Sequence, residues 1–319
     1  MNDLEAFKQE FDPYIQKHLE QKIKNISKYT KDSSILSYIH YIEIIVMSAG
    51  KRIRPYIAFL MYKALGGKEI EKTLKFLVSL ELFHSFCLVH DDIMDKADLR
   101  HGVQTVHKYI KDKLKKERKL NGLNHTGNSQ AVLIGDLLFS WSQEIINLNT
   151  EFYLGTMQKV KKLFYEMMDE VSIGQMIDVD ASTRKKVSKE LIDEKTRLKT
   201  AGYSFIKPLQ IGATLSGKDN IGIQKFCKEF GLRMGMAFQT QDDLLDITST
   251  DEELKKTTSS DQSQHQHTYF TYFKSLDEGK KIIEENFNEA KTLVKNSKIK
   301  EDAKKKFIEL IELIENRTF

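Results

Sequence analysis

The stretch Leu82 to Gly102, LFHSFCLVHDDIMDKADLRHG, puts Asp91, Asp92 and Asp95 inside an otherwise apolar segment. On a helix, positions i and i+4 share a face and i+1 lies beside them, so three carboxylates converge on one patch. Close like charges raise each other's pKa unless cations neutralise them. Oxygen-only ligands favour a hard ion, and Mg²⁺ usually takes one or two carboxylates plus substrate phosphates. The plain alternative is a solvated acidic helix face. A second copy of the spacing weighs against it: Gln241 to Asp246, QDDLLD, sets out Asp242, Asp243 and Asp246 in the same way. The run before it, Phe226, Phe230, Met234 and Phe238, steps by four as an apolar helix stripe does. Gln239, Asp243 and Asp246 fall on a different stripe, with Asp242 at its edge.

The rest of the chain reads as all-helical. Only three prolines occur among 319 residues, at positions 13, 55 and 208, and β-branched alternation is rare. The length allows one large domain or two. A net charge of +4, on 50 basic and 46 acidic residues, does not call for nucleic acid. The densest basic run, Lys108 to Lys119, reads as a solvated helix face. Cys87 and Cys227 are the only cysteines; their apolar helical settings suggest buried thiols in a reducing, cytoplasmic compartment. Met1 to Glu10 is charged throughout, which does not suit a signal peptide. No unbroken run of about eighteen apolar residues is present, so no stable membrane insertion is expected.

In chain order, residues 1 to 30 form one or two amphipathic helices, and Tyr29 to Ser34 is a polar break. Ile35 to Met47 is apolar helix. Gly50 suits a helix end and Pro55 the first turn of the next, with Lys51, Arg52 and Arg54 between and around them. Three cations near a helix N-terminus favour an anion, and Lys51 and Arg54 can point together. Glu71 to Asp95 is the first acidic helix; His84, two turns before Asp91, points to the same side. Arg100 follows closely enough to hold an anion bridged to metals. Asn121 to Asn128, NGLNHTGN, reads as a loop before a helix over Gln130 to Asn147. Phe152 to Asp180 is helix, with Gln175 and Asp178 on an inward-looking face, where they either touch ligand or pair with each other. Gly202, Pro208 and Gly212 suggest a kink between Leu191 and Gly217, next to Lys199 and Thr200. Ile247 to Ser260, with Lys255 and Lys256, and Asp261 to His267 read as solvent-exposed loop. Gly279 onward is helix, with an apolar stripe of Phe307, Leu310, Ile311 and Ile314.

Six motifs in order are similar to those of the trans-isoprenyl diphosphate synthase family, over roughly Ile35 to Tyr269. They are GKRIRP, DDIMD, Gly135-Asp136, Gly174-Gln175, Lys199-Thr200 and the FQxxDDxxD string from Phe238 to Asp246. The resemblance implies a single isoprenoid synthase domain over 1–319, its helices bundled around a deep central cavity. It implies that Asp91, Asp92, Asp95, Asp242, Asp243 and Asp246 face one another and hold about three Mg²⁺ on an allylic diphosphate. Arg100, Lys199, Thr200, Gln239 and Lys256 would grip that diphosphate; Lys51, Arg54 and His84 would bind isopentenyl diphosphate. A homodimer is also implied. Three departures stand out. Arg100-His101-Gly102 replaces the usual Arg-Arg-Gly, weakening a contact to isopentenyl diphosphate through His101. Gln266 replaces a lysine, and Ala49-Gly50 replaces Gly-Gly.

Product length follows from helix geometry. Phe86 and Phe83 precede Asp91 by five and eight residues, about 7.5 and 12 Å along the axis. A large ring there limits the growing tail to a few isoprene units, and the small Cys87 beside it leans towards twenty carbons over fifteen. Geranylgeranyl or farnesyl diphosphate is therefore the expected product. Three other readings compete. A terpene cyclase needs a different second metal motif and lacks GKRxRP. A metal-dependent phosphohydrolase, suggested by His90-Asp91, needs several histidine ligands. A noncatalytic partner subunit of a heteromer does not need six aspartates.

Overall fold

A computed structural model describes residues 3–48, 50–118, 122–248 and 276–317; the side chains of 246–248 lie outside that description. The structure is helical almost throughout: α1 Asp3–Ile26, α2 Ser33–Met47, α3 Ile53–Ala64, α4 Ile70–Met94, α5 Val106–Arg118, α6 Asn124–Asn147 and α7 Leu154–Ala181. There follow α8 Lys189–Lys195, a π-helical segment Thr196–Ile206, α9 Lys207–Leu215, α10 Ile221–Thr248, α11 Leu276–Asn296 and α12 Glu301–Glu315. A two-stranded hairpin, β1 Leu99–Arg100 and β2 Val103–Gln104, is the only sheet among the described residues. The described residues group into two compact units, 3–48, 50–52, 74–118 and 122–149 in one, and 53–73, 150–248 and 276–317 in the other.

In the first unit, α1 is one helix whose Leu4, Phe7, Phe11, Ile15, Leu19 and Ile23 recur at three and four residues and are all buried. The polar break after it holds the Asp32 cap of α2, whose carboxylate accepts from the Ile35 N–H at 2.9 Å. Ser142 of α6 donates to the Ser79 carbonyl of α4 at 2.8 Å. The expected loop at Asn121 to Asn128 is shorter than its composition suggests, because α6 already starts at Asn124. Gly127 explains this: a Cβ there would meet the His107 carbonyl oxygen at 2.7 Å, so the glycine serves the crossing of α5 and α6 rather than a turn.

By length and composition α4 is apolar enough to cross a membrane, with an 18-residue window of mean hydropathy 1.2. Scattered polar residues break the apolar run without lowering its mean enough, and 67% of the window is buried inside the protein. Cys227 is buried and its thiol is pushed up to about 12 by burial, whereas Cys87 is only half-buried.

In the second unit, α10 lies along the π segment and α11, α3 packs on α9 and α12, and α7 packs on the π segment and α9. Phe226 and Phe230 of α10 stack, and Phe307 of α12 meets both edge-on. The expected α12 stripe is buried in full. The kink or break expected at Leu191 to Gly217 is no break: helix continues from Lys189 to Leu215 through a change of helix type. The Lys207 N–H bonds the Gly202 carbonyl, five residues back, just ahead of Pro208 in the first turn of α9. Widened hydrogen bonding accommodates the proline without breaking the rod.

Candidate active site

The first acidic motif is built by the way α4 ends. The Asp95 N–H still bonds the Asp91 carbonyl; Lys96 then turns left-handed (φ 55). Its N–H reaches the Ile93 carbonyl, and that of Ala97 the Asp92 carbonyl. This pairing is the Schellman stop, here with lysine in the place glycine favours. The chain then folds back through the β1–β2 hairpin, whose turn residues His101 and Gly102 have φ of 52 and 81. Two left-handed residues in a row make the turn that matches strand twist. The hairpin delivers Arg100 to the carboxylates: its Nη2 lies 2.6 Å from Asp92 Oδ1 and 3.6 Å from Asp91 Oδ2, and its Nε donates to Asp92 Oδ1 at 2.8 Å. Burial pushes the Asp92 carboxyl up to about 6 against the pull of Arg100.

His90 is turned aside. Its Nε2 is 3.1 Å from the Val132 carbonyl and 3.8 Å from Asp136, so it donates to α6. Phe86 packs edge-on to the His90 ring and tilts against Phe83 and Phe139. Phe83 is fully buried; Phe86 and Cys87 are half-buried on the same helix. Phe139, from α6, touches both rings and was not identified from sequence. Its signal was weak: one more aromatic in an apolar helix.

The second acidic motif lies on α10. Gln239 Nε2 donates to Asp243 Oδ1 at 2.8 Å, and Thr200 Oγ1 donates to Gln239 Oε1 at 2.6 Å. Thr200, through Gln239, therefore orients Asp243, which is buried. Lys199 Nζ is 2.6 Å from Asp178 Oδ2, and Lys195 Nζ is 2.9 Å from Oδ1. Burial favours a neutral Asp178, but the two ammonium groups outweigh it and hold the carboxyl near 2. Asp178 is thus a partner of lysines, and Gly174 on the same helix lets them approach. A Cβ at 174 would meet the Lys199 backbone nitrogen at 2.5 Å.

The three cations of GKRIRP divide. Arg52 is buried and left-handed (φ 52), donating to Asp12, to Glu81 at 2.6 Å and to the Val46 carbonyl. It ties α1, α2 and α4 together, so the expectation that all three cations meet an anion fails for Arg52. Lys51 is exposed. Arg54 stacks on Tyr203, Cζ 4.3 Å from the ring centroid, and donates to Ser204 Oγ at 2.8 Å. Its buried Nε has no hydrogen-bond partner among the described residues. Tyr203 and Ser204 follow Thr200 by about one helical turn, the one sequence clue to their place here. His84 is half-buried on α4. Lys256, Gln266 and the side chain of Asp246 lie outside the described residues.

A family model described as polyprenyl synthetase matches residues 37–311. The chain belongs to the polyprenyl synthetase family. A geranylgeranyl diphosphate synthase of Methanosarcina mazei is 31% identical over 255 residues, covering 79% of this chain and 70% of that protein. A short chain isoprenyl diphosphate synthase of Methanocaldococcus jannaschii is 29% identical over 97% of this chain and 82% of its own. The fold matches the crystal structure of a Corynebacterium glutamicum geranylgeranyl pyrophosphate synthase complexed with isoprenyl diphosphate and magnesium. The TM-score is 0.91 at 21% identity, with 99% of each chain covered. As a polyprenyl synthetase the chain is a transferase of prenyl groups.

In this polyprenyl synthetase the acidic motifs offer oxygen donors only. Among the described residues no group of three or more His, Cys, Asp or Glu side chains is placed to hold a metal unaided. The all-oxygen donor set suits Mg²⁺, which takes few carboxylates and draws further oxygens from phosphates. It does not suit a histidine-ligated metallohydrolase, since His90 spends its Nε2 on a carbonyl.

Proposed function

We propose that the protein condenses isopentenyl diphosphate with an allylic diphosphate, releasing diphosphate, and that the product is geranylgeranyl or farnesyl diphosphate. One observation carries this reading: Asp91 and Asp92 are closed by Arg100, from the same short stretch, into an acidic patch that already contains an anion-binding guanidinium. Asp91, Asp92, Asp95, Asp242, Asp243 and Asp246 would hold about three Mg²⁺. When bound, these ions neutralise charge developing on the departing diphosphate. Arg100, Lys199 and Lys256 would hold the allylic diphosphate. Gln239 and Thr200 fix the carboxylate of Asp243. Arg54, with its unpartnered Nε, takes the diphosphate of isopentenyl diphosphate together with Lys51 and His84. The C3–C4 double bond of isopentenyl diphosphate attacks the allylic cation, and the departing diphosphate takes the proton then lost, so no protein base is required. Phe86, Phe83 and Cys87 limit the tail.

We further place the enzyme in the cytoplasm as a homodimer, one catalytic domain per chain, without stable membrane insertion or nucleic acid. The test is incubation with Mg²⁺, isopentenyl diphosphate and each allylic diphosphate in turn, followed by chromatography of the products. Chain extension is expected, falling at least a hundredfold in Asp91→Ala and in Asp242→Ala assayed separately. Cyclic hydrocarbons, free phosphate alone, or no product in any mixture would each replace this reading with one of its competitors.

A further inference from the structure

Arg317, just beyond α12, reaches back to the second acidic motif. Its guanidinium stacks on Phe238, Cζ 3.9 Å from the ring centroid. Its Nε donates to Gln241 Oε1 at 3.0 Å and its Nη2 to the Phe238 carbonyl at 3.0 Å. The same Nη2 donates to Asp242 Oδ1 at 3.1 Å. Gln241 in turn donates to the Glu315 carbonyl at 2.9 Å, which closes the loop between α10 and the end of α12. The Arg317 side chain is 11% exposed, that of Asp242 42%.

We propose that Arg317 is a positioning residue for divalent-cation binding at the second acidic motif, holding Oδ1 of Asp242 so that Oδ2 is presented to the ion. The proposal rests on the reading of Asp242 as a Mg²⁺ ligand. The Arg317 contacts to a ring, a carbonyl and an amide do not involve Asp242. The guanidinium therefore stays in place when a cation arrives, rather than being expelled by it. A planar fork with fixed donors holds one carboxylate rotamer, which an ammonium on a flexible stem does not. No described residue donates to Oδ2, and the Asp242 side chain is 42% exposed. Donors behind a ligating carboxylate set its orientation, and losing one typically costs about 10–100-fold in metal affinity. The opposite reading is a counter-ion that Mg²⁺ must displace; its removal would tighten cation binding.

Calorimetric titration of the full-length protein with inorganic diphosphate, at a series of Mg²⁺ concentrations, separates these. Arg317→Gln is expected to raise the Mg²⁺ concentration for half-maximal diphosphate binding about tenfold or more. Arg317→Lys, which keeps the charge but not the fork, is expected to raise it by less. Excess Mg²⁺ is expected to restore kcat in both, which a merely structural loss would not allow. An unchanged or lowered Mg²⁺ requirement in Arg317→Gln overturns the proposal; should that variant not fold, the same result in Arg317→Lys does so. Asp242→Ala is the control. If it leaves the requirement unaltered, the metal reading of this motif fails, and the positioning role with it.

Discussion

His101 shows how one residue can be set by backbone and chemistry at once. Its φ of 52 is a conformation in which histidine is over-represented among residues with a side chain, so the hairpin turn tolerates it. It carries full charge only when protonated. His101→Arg is therefore expected to lower KM for isopentenyl diphosphate in steady-state assays, at a cost of about 1 kcal/mol for arginine in the left-handed region. A KM that does not fall would show that position 101 is no substrate contact. Other residues were less legible than this one. Asp178 was identified as polar and inward-facing, but its partners lie 17 and 21 residues on, and no spacing rule joins them. Arg52 looked like its neighbours Lys51 and Arg54; only its left-handed φ, the buried Glu81 and the half-buried Asp12 separate it from them. The two aspartate motifs were readable because their spacing is local, i, i+1 and i+4.

At the scale of elements, α4 carries both the carboxylates and the rings that precede them. Phe86→Ala is expected to lengthen the product by at least one isoprene unit, and Phe139→Ala to do the same, because both line one aromatic cluster. Products unchanged on chromatography in both variants would rule out that cluster as the floor. Helix identity was plain from periodicity over much of the chain, and Pro55 falls in the first turn of α3 as expected; Asp32, which caps α2, lay in a stretch read only as a polar break. Two features escaped. The start of α6 was hidden by NGLNHTGN, a turn-like composition whose Gly127 answers to a neighbouring helix. The π segment was hidden because an extra residue per turn leaves no compositional mark; glycine and proline there signalled irregularity without its kind. Both follow from packing between elements, which one-dimensional patterns do not record.

The whole molecule inherits its acid response from a few buried groups. His18 has a buried Nε2 with no hydrogen-bond partner among the described residues. Burial first, then Lys22, lower its pKa from 6.5 to about 4, against Glu144. Below 6.5 the unfolded chain binds a proton that the native state refuses. Stability is thus full above about 6.5 and falls by up to about 3 kcal/mol as pH drops through 4. Asp178 is depressed from 3.8 to about 2, so its contribution survives to 3.8 and is lost only as pH falls through 2. Urea midpoints at pH 7 and pH 4.5 are expected to differ less in His18→Gln than in the wild type; parallel drops would acquit His18. A last consequence concerns the order in which the molecule is made. Asp92 and its arginine are eight residues apart, whereas Asp242 waits for a partner 75 residues downstream. A nascent chain leaving the ribosome can thus complete its first carboxylate patch as soon as the hairpin emerges. The second stays without its guanidinium until 75 more residues have been added.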